Sequence, residues 1–300
     1  MLSIFATPKA FKGHFAIIQE NAIESWTRLE PKCQIILLGN EPGTKEIAQK
    51  YNLEHVRDVS CNKFGTPLLP DIFKKAYEKA KFEVLMYVNC DIILTNDLLK
   101  TIGKVNKKFP SFFLTGSRWE FALNTRLRFR KDWEKRLRPK VVKGGSIKRK
   151  GPTDYFVFSP KINFKMPDFA VGRTYWDAWL IFRAKQLEIP IINATDFNFA
   201  VHQSHDYSHA GGWADVWTGP ESRKNIKLIG DKRKYFNVLD ADYNLMANGT
   251  LRPQELFLRL IRVIETAPVL RPKMSKFIYP FNYLVRGFRF AKYKARSALN

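Results

Sequence analysis

The sequence predicts an α/β fold built on a largely parallel sheet. Three observations lead there. Short apolar segments alternate with amphipathic stretches through the first hundred residues. Residues 84–88, Val-Leu-Met-Tyr-Val, are apolar without a break, as in a central strand covered on both faces. The chain has 300 residues and is 45% hydrophobic, enough to build cores on both sides of a sheet.

Each element follows in order. Strand 4–6 precedes a helix over 14–29 and a strand over 34–39. Gly39-Asn40-Glu41-Pro42-Gly43 has the composition of a turn. Residues 44–51 form a short helix with Ile47 and Tyr51 four apart on one face. A third strand is expected over 55–59. Helix 66–81 starts behind a Pro-rich segment. Leu69, Phe73 and Tyr77, with Ala76 and Ala80, make its apolar stripe, and lysines cover the other side. The strand 84–88 then meets Asn89-Cys90-Asp91 before Ile92, Ile93 and Leu94 resume. Ligands of such sheets bind beyond the carboxyl ends of the strands. Asn89 and Asp91 are therefore expected at the mouth of a crevice, not in the core. Strand 111–118 follows. Residues 124–150 hold 12 Lys/Arg against Asp132 and Glu134 and read as a mobile insertion or loop over the site. Strand 154–159, helix 174–186 and strand 189–195 continue the alternation. Helix 253–265 is amphipathic, with Leu256, Leu260, Ile261 and Ile264 on one face. Two units are expected: residues 1–245, and a helical, basic-aromatic extension over 246–300.

Composition narrows the function. The apolar content excludes an intrinsically disordered chain. No apolar segment approaches the roughly 20 residues that span a bilayer. The three cysteines lack metal-finger spacing and suit a reducing compartment. The N-terminus reads as a first strand rather than a secretory signal, so a cytoplasmic location is expected. The net charge is +23, and residues 271–300 carry 8 Lys/Arg and no acid. Interleaved with Phe and Tyr, that tail suits the anionic inner face of a membrane. Its alternative is a helix packed back onto the domain. The charge also permits nucleic-acid binding. It lies outside the α/β core, however, and no nucleic-acid motif accompanies it, so no nucleic acid is expected.

The chemistry gathers at three places. Asp91 is either a turn residue or a ligand at a strand end. Three of the five histidines, His202, His205 and His209, fall with Asp206 in VHQSHDYSHAGGW. A hard divalent cation takes carboxylate oxygens, accepts an imidazole and keeps positions open for phosphates. The H-E-x-x-H pattern of a zinc hydrolase is absent. Asp177 opens a helix between Trp176 and Trp179. It either complements the helix dipole or acts as a general base beside an aromatic platform for a sugar ring.

YVNCDIIL, DYFVFS, WDAWLIFRA and VHQSHDYSH occur in an order that resembles the GT-A glycosyltransferases, especially the family 2-like nucleotide-diphospho-sugar transferases. The resemblance covers roughly residues 1–225. It implies a GT-A sheet flanked by helices and a divalent cation, Mn²⁺ or Mg²⁺. It also implies a nucleotide-diphospho-sugar donor and a glycan, lipid-linked or other hydroxyl acceptor. On this register Asp91 and either His205 or His202 hold the metal. The Asp206 and Gly211-Gly212 context favours His205. Asn89 stands where the first Asp of D-x-D would be and meets the ribose or a metal-bound water. Thr7, with Pro8-Lys9, holds the base. Glu41 adds a nucleotide contact and Arg173 pairs with the diphosphate. Asp177 falls on the second acid of the family's Glu-Asp pair, as the base of an inverting transfer, and Trp176 stands where the first acid would be. Asp154, Trp176 and Trp213 are assigned to the acceptor or sugar. Asn89 and Trp176 also suit a second reading, an inactive scaffold of the same fold. A basic nucleic-acid-binding protein is a third.

Overall fold

β1, Leu2–Ala6, sends its side chains alternately into two cores, as a pleated strand must. Leu2, Ile4 and Ala6 join one core and Phe5 the other. β2, Gln34–Leu38, divides Ile35 and Leu37 from Ile36 and Leu38 in the same way. β4, Val84–Val88, divides Met86 and Val88 from Leu85 and Tyr87. These strands are apolar throughout because helices cover both their faces. Each fully buried Leu, Ile or Phe contributes roughly 1.5–3 kcal/mol.

The computed structural model describes residues 1–149, 153–159, 162–205, 213–274 and 277. The first core lies under α1 (Gly13–Thr27), α2 (Thr44–Tyr51) and α4 (Asp97–Asn106). The second lies under α3 (Leu69–Lys79), α6 (Trp176–Gln186) and α8 (Pro220–Ile229). Between them runs a nine-stranded sheet. Its other strands are β3 (Glu54–Val56), β6 (Phe113–Thr115), β9 (Tyr155–Phe158), β10 (Ile191–Asn193), β12 (Tyr243–Leu245) and β13 (Leu251–Pro253). The order is β13-β12-β10-β6-β9-β4-β1-β2-β3. β9 runs antiparallel to both β4 and β6, and β13 antiparallel to β12; the remaining pairs are parallel.

A second, four-stranded sheet has the order β5-β11-β7-β8. These strands are β5 (Ile92–Ile93), β7 (Trp119–Phe121), β8 (Ser146–Ile147) and β11 (Val201–Gln203). Its register sets His202 opposite Ile92 on one side and Glu120 on the other. A small core of Ile93, Leu137, Val141, Phe199 and Val201 supports it.

The structure corrects three sequence expectations. The basic 124–150 stretch contains a helix, α5 (Trp133–Gly144), where a mobile loop was expected. Leu137 and Val141, four apart, bury against the small sheet and anchor it. β3 ends at Val56 rather than at 59. The C-terminal helix α9 (Leu256–Leu270) leaves Leu256 and Leu260, two residues of its expected buried face, 71% and 53% exposed. β12 closes residues 1–245, and the chain beyond it adds β13 to the same sheet before α9. Among the described residues no helix is long and apolar enough to cross a membrane. The tail over 278–300 lies outside the described residues.

Candidate active site

β4 leaves the large sheet at Val88, and a turn closes when the Ile92 N–H donates to the Asn89 carbonyl at 3.1 Å. The chain then enters the small sheet as β5. Asp91 sits at this changeover, 8% exposed. Its carbonyl accepts from the backbone N–H of Gln203 at 3.2 Å and from Gln203 Nε2 at 3.1 Å. Gln203 is itself fixed: its Oε1 accepts from Asn21 Nδ2 at 2.9 Å. Trp26, wholly buried on α1, donates its indole N–H to the Ile92 carbonyl at 2.9 Å. The apolar run of the sequence is thus two strands in two sheets, and the carboxylate lies between them.

β11 brings the histidines to that carboxylate. His205 Nε2 lies 3.1 Å from Asp91 Oδ2, and His202 Nε2 lies 3.8 Å from the same oxygen. The two imidazole rings are 5.3 Å apart. Burial alone would raise the Asp91 pKa. His202, the hydrogen bond from His205 and Lys9 outweigh it and hold the carboxyl well below its usual range. Burial would lower the His202 pKa, and Asp91 and Glu120 reverse that and raise it. Asp91 Oδ1 is buried with no hydrogen-bond partner among the described residues. An orphaned carboxylate oxygen beside two imidazoles fits a cation. One ligand atom each from Asp91, His202 and His205 all lie within 4.8 Å of one another, so the three could hold a metal ion.

Two cavities meet here, and both are lined by Lys9, Asn89, Asp91 and Arg173. The first, about 610 Å³, continues past Thr7, Phe15 and Glu41. The Thr7 hydroxyl is buried without a partner among the described residues. The second, about 380 Å³, continues past Asp154, Tyr175, Asp177 and Trp217. Asn89 donates from Nδ2 to Asp154 Oδ1 at 2.8 Å. A carboxylate only accepts, so Asp154 fixes the orientation of this amide. Burial pushes the Asp177 carboxyl up to about 6, with Asp154 adding to the rise and the Ala178 backbone N–H opposing it.

The structure thus brings Asp91, His202 and His205 together, with Asn89, Asp154 and Asp177 lining the same second cavity. It engages Arg173 differently from the expected diphosphate contact. The guanidinium is paired with Glu221 at 2.5 Å and 2.9 Å, although the side chain still lines both cavities. The aromatic platform is also corrected. Trp176 and Trp179 are each only 6% exposed, because Trp176 packs edge-on against Tyr87 and Phe156 and Trp179 against Phe169. Trp217, 37% exposed, offers the open indole instead. Trp213 is the first residue of α7, Trp213–Thr218. Asp206, His209 and Gly211-Gly212 lie outside the described residues.

Two residues escaped the sequence reading. Glu120 Oε2 lies 2.7 Å from His202 Nδ1, and Arg118 bridges Glu120 and Asp154. The polar-aromatic alternation of Arg118-Trp119-Glu120-Phe121 was their one local signal.

A covered, mostly parallel sheet with an antiparallel strand beside β4 and an acid just beyond β4 is the arrangement of a GT-A fold. A solved structure agrees on the fold. The 1–349 fragment of S. aureus TarS in complex with UDP-GlcNAc is 15% identical, with 91% of this chain and 72% of that one covered, at a TM-score of 0.52. With UDP bound to the same fragment, the match spans 40% of this chain and 36% of that one, at 16% identity and a TM-score of 0.33. Glucosyl-3-phosphoglycerate synthase from Mycobacterium tuberculosis, in complex with Mn²⁺, UDP and glucosyl-3-phosphoglycerate, is 14% identical over 76% of this chain and 78% of that one, at a TM-score of 0.43. No family model matches the chain, and no curated protein matches it.

Proposed function

We propose that this chain is a metal-dependent glycosyltransferase that moves a sugar from a nucleotide-diphosphate donor to an acceptor hydroxyl with inversion. The observation that carries the reading is the Asp91–His202–His205 group at the junction of two cavities. The TarS fragment that shares the fold binds UDP-GlcNAc, which makes a uridine-diphosphate sugar the first donor to test.

The first cavity suits the nucleotide, with Thr7 and Glu41 on the base and ribose side. Asn89, its amide N–H₂ turned to Asp154, offers its oxygen to a ribose hydroxyl. Asp91, His202 and His205 would hold Mn²⁺ or Mg²⁺. When bound, the cation supplies positive charge against the diphosphate leaving group. Lys9 adds a cation at the cavity junction. Arg173 helps through its position while Glu221 holds its guanidinium. In the second cavity Asp177 is the base for the acceptor hydroxyl. A carboxyl raised to about 6 is ionised near neutrality yet basic enough to take the proton. Asp154 lines the acceptor side, with Trp217 as the open aromatic face.

The acceptor would be a glycan, lipid-linked or other hydroxyl. The basic tail and the exposed Leu256, Phe257, Leu260 and Val263 of α9 suit an anionic membrane surface. A role in envelope polysaccharide or glycolipid synthesis would follow. The test is calorimetry with UDP, GDP, CDP and ADP, each with and without Mn²⁺, repeated with Asp91→Ala. Metal-dependent binding of one nucleotide, lost in the variant, supports the reading. No nucleotide binding, together with salt-sensitive binding of DNA or RNA, replaces it with a basic nucleic-acid-binding protein.

A further inference from the structure

Glu120 on β7 stands opposite His202 on β11. Its two carboxylate oxygens have separate partners. Oε1 takes the Arg118 guanidinium, and Oε2 lies 2.7 Å from His202 Nδ1. An ionised carboxylate has no proton to give, so Nδ1 of His202 carries the hydrogen in this contact. That leaves Nε2 as the nitrogen turned towards Asp91, 3.8 Å from Oδ2. A ring held at Nδ1 by a carboxylate presents Nε2 at a fixed angle and with greater basicity, as metal-binding imidazoles require.

Glu120 is held in turn. Arg118 is 7% exposed and spans from Glu120 to Asp154, and Asp154 accepts from Asn89. The chain Asn89–Asp154–Arg118–Glu120–His202 therefore links two residues that line the same cavity as Asp91. An ion pair between Arg118 and Glu120 alone would need only one carboxylate oxygen, and the second is directed at the imidazole.

We propose that Glu120 is a positioning residue that commits His202 Nε2 to the cation, so that His202 and His205 both ligate alongside Asp91. This rests on the metal reading above. Three protein donors leave the remaining coordination positions to water and the donor's phosphates.

The test is affinity for Mn²⁺ alone, measured by calorimetry and by electron paramagnetic resonance of the free ion. It compares the parent protein with Glu120→Ala, Glu120→Gln, His202→Ala and the double variant Glu120→Ala/His202→Ala. Glu120→Ala is expected to weaken binding by about 10–100-fold. Glu120→Gln should recover most of that loss, because its amide oxygen still accepts from Nδ1–H. Once His202 is alanine, Glu120→Ala should cost nothing further. An equal loss in both backgrounds would overturn the proposal, and so would a folded Glu120→Ala variant with parental affinity. Should that variant fail to fold, His202→Ala decides: parental Mn²⁺ affinity there removes the proposal. A parent protein that binds no Mn²⁺ removes the metal reading and this inference together. A parent that binds Mn²⁺ irrespective of Glu120 removes the inference alone.

Discussion

Replacing Asp177 by Asn should make the protein more stable and far less active. Burial in the first turn of α6 raises this carboxyl from 3.8 to about 6. A gap of about 2 units corresponds to about 3 kcal/mol of differential stabilisation between its protonation states. Between those two pKa values the folded chain binds more protons than the unfolded one, so stability falls as pH rises and the full cost is reached above about pH 7. Asn stays neutral at every pH and keeps an oxygen for the Ala178 N–H. Parent and variant should therefore be nearly equal near pH 4. Near pH 7.5 the variant should lead by up to about 3 kcal/mol. Urea denaturation at both pH values measures this. Equal stability at both, or a less stable variant near pH 7.5, would refute the account of Asp177 as a carboxylate whose charged form its surroundings disfavour. Turnover of the nucleotide sugar should fall by about 10²–10⁴-fold. In the parent, kcat/KM should decline below about pH 6, and this limb should vanish in the variant. A stabilised variant with parental turnover would keep the electrostatics and discard the base.

Two further outcomes are expected. A Cβ added at Gly116 would collide with the Tyr155 hydroxyl and lie 2.9 Å from the Thr195 backbone nitrogen, so Gly116→Ala should cost about 1–3 kcal/mol, and an unchanged denaturation midpoint would contradict the packing described. Two imidazoles and one carboxylate suit Mn²⁺ better than Mg²⁺, which prefers oxygen ligands and retains its water, so Mn²⁺ should raise the melting temperature at lower concentration than Mg²⁺, and the reverse order would count against two histidine ligands.

What the sequence disclosed depended on how local each signal was. β1, β2 and β4 were legible because an unbroken apolar run needs no knowledge of its neighbours. Asp177 was legible because a first-turn acid marks a helix start. α5 was hidden because Leu137 and Val141 are diluted among lysines and arginines. β7 and β11 have three residues each, too short for any periodicity. Glu120 has meaning only through a partner 82 residues away. α4 carries a readable stripe of Leu98, Ile102 and Val105. Trp176 and Trp179 misled in the opposite direction. Beside an acid they resembled a sugar platform, but Tyr87, Phe156 and Phe169 from other elements enclose them.

The small sheet pairs Ile92 with His202, His202 with Glu120, and Glu120 with Ser146. A single rung across four strands thus carries the neighbour of Asp91, an imidazole and its carboxylate. Their lateral spacing follows the interstrand repeat of about 4.8 Å and owes nothing to the length of the connections. Residues 128–132, the turn ahead of α5, can lengthen or shorten without displacing the rung, because Leu137 and Val141 on α5 still reach the small sheet. Loss of one residue inside β11 would instead turn His202 to the opposite side of the sheet and put an apolar neighbour in its place. Tolerance to insertion and deletion is therefore sharply uneven along this chain: generous in the turn ahead of α5, and nil three residues deep in a strand that no periodicity announces.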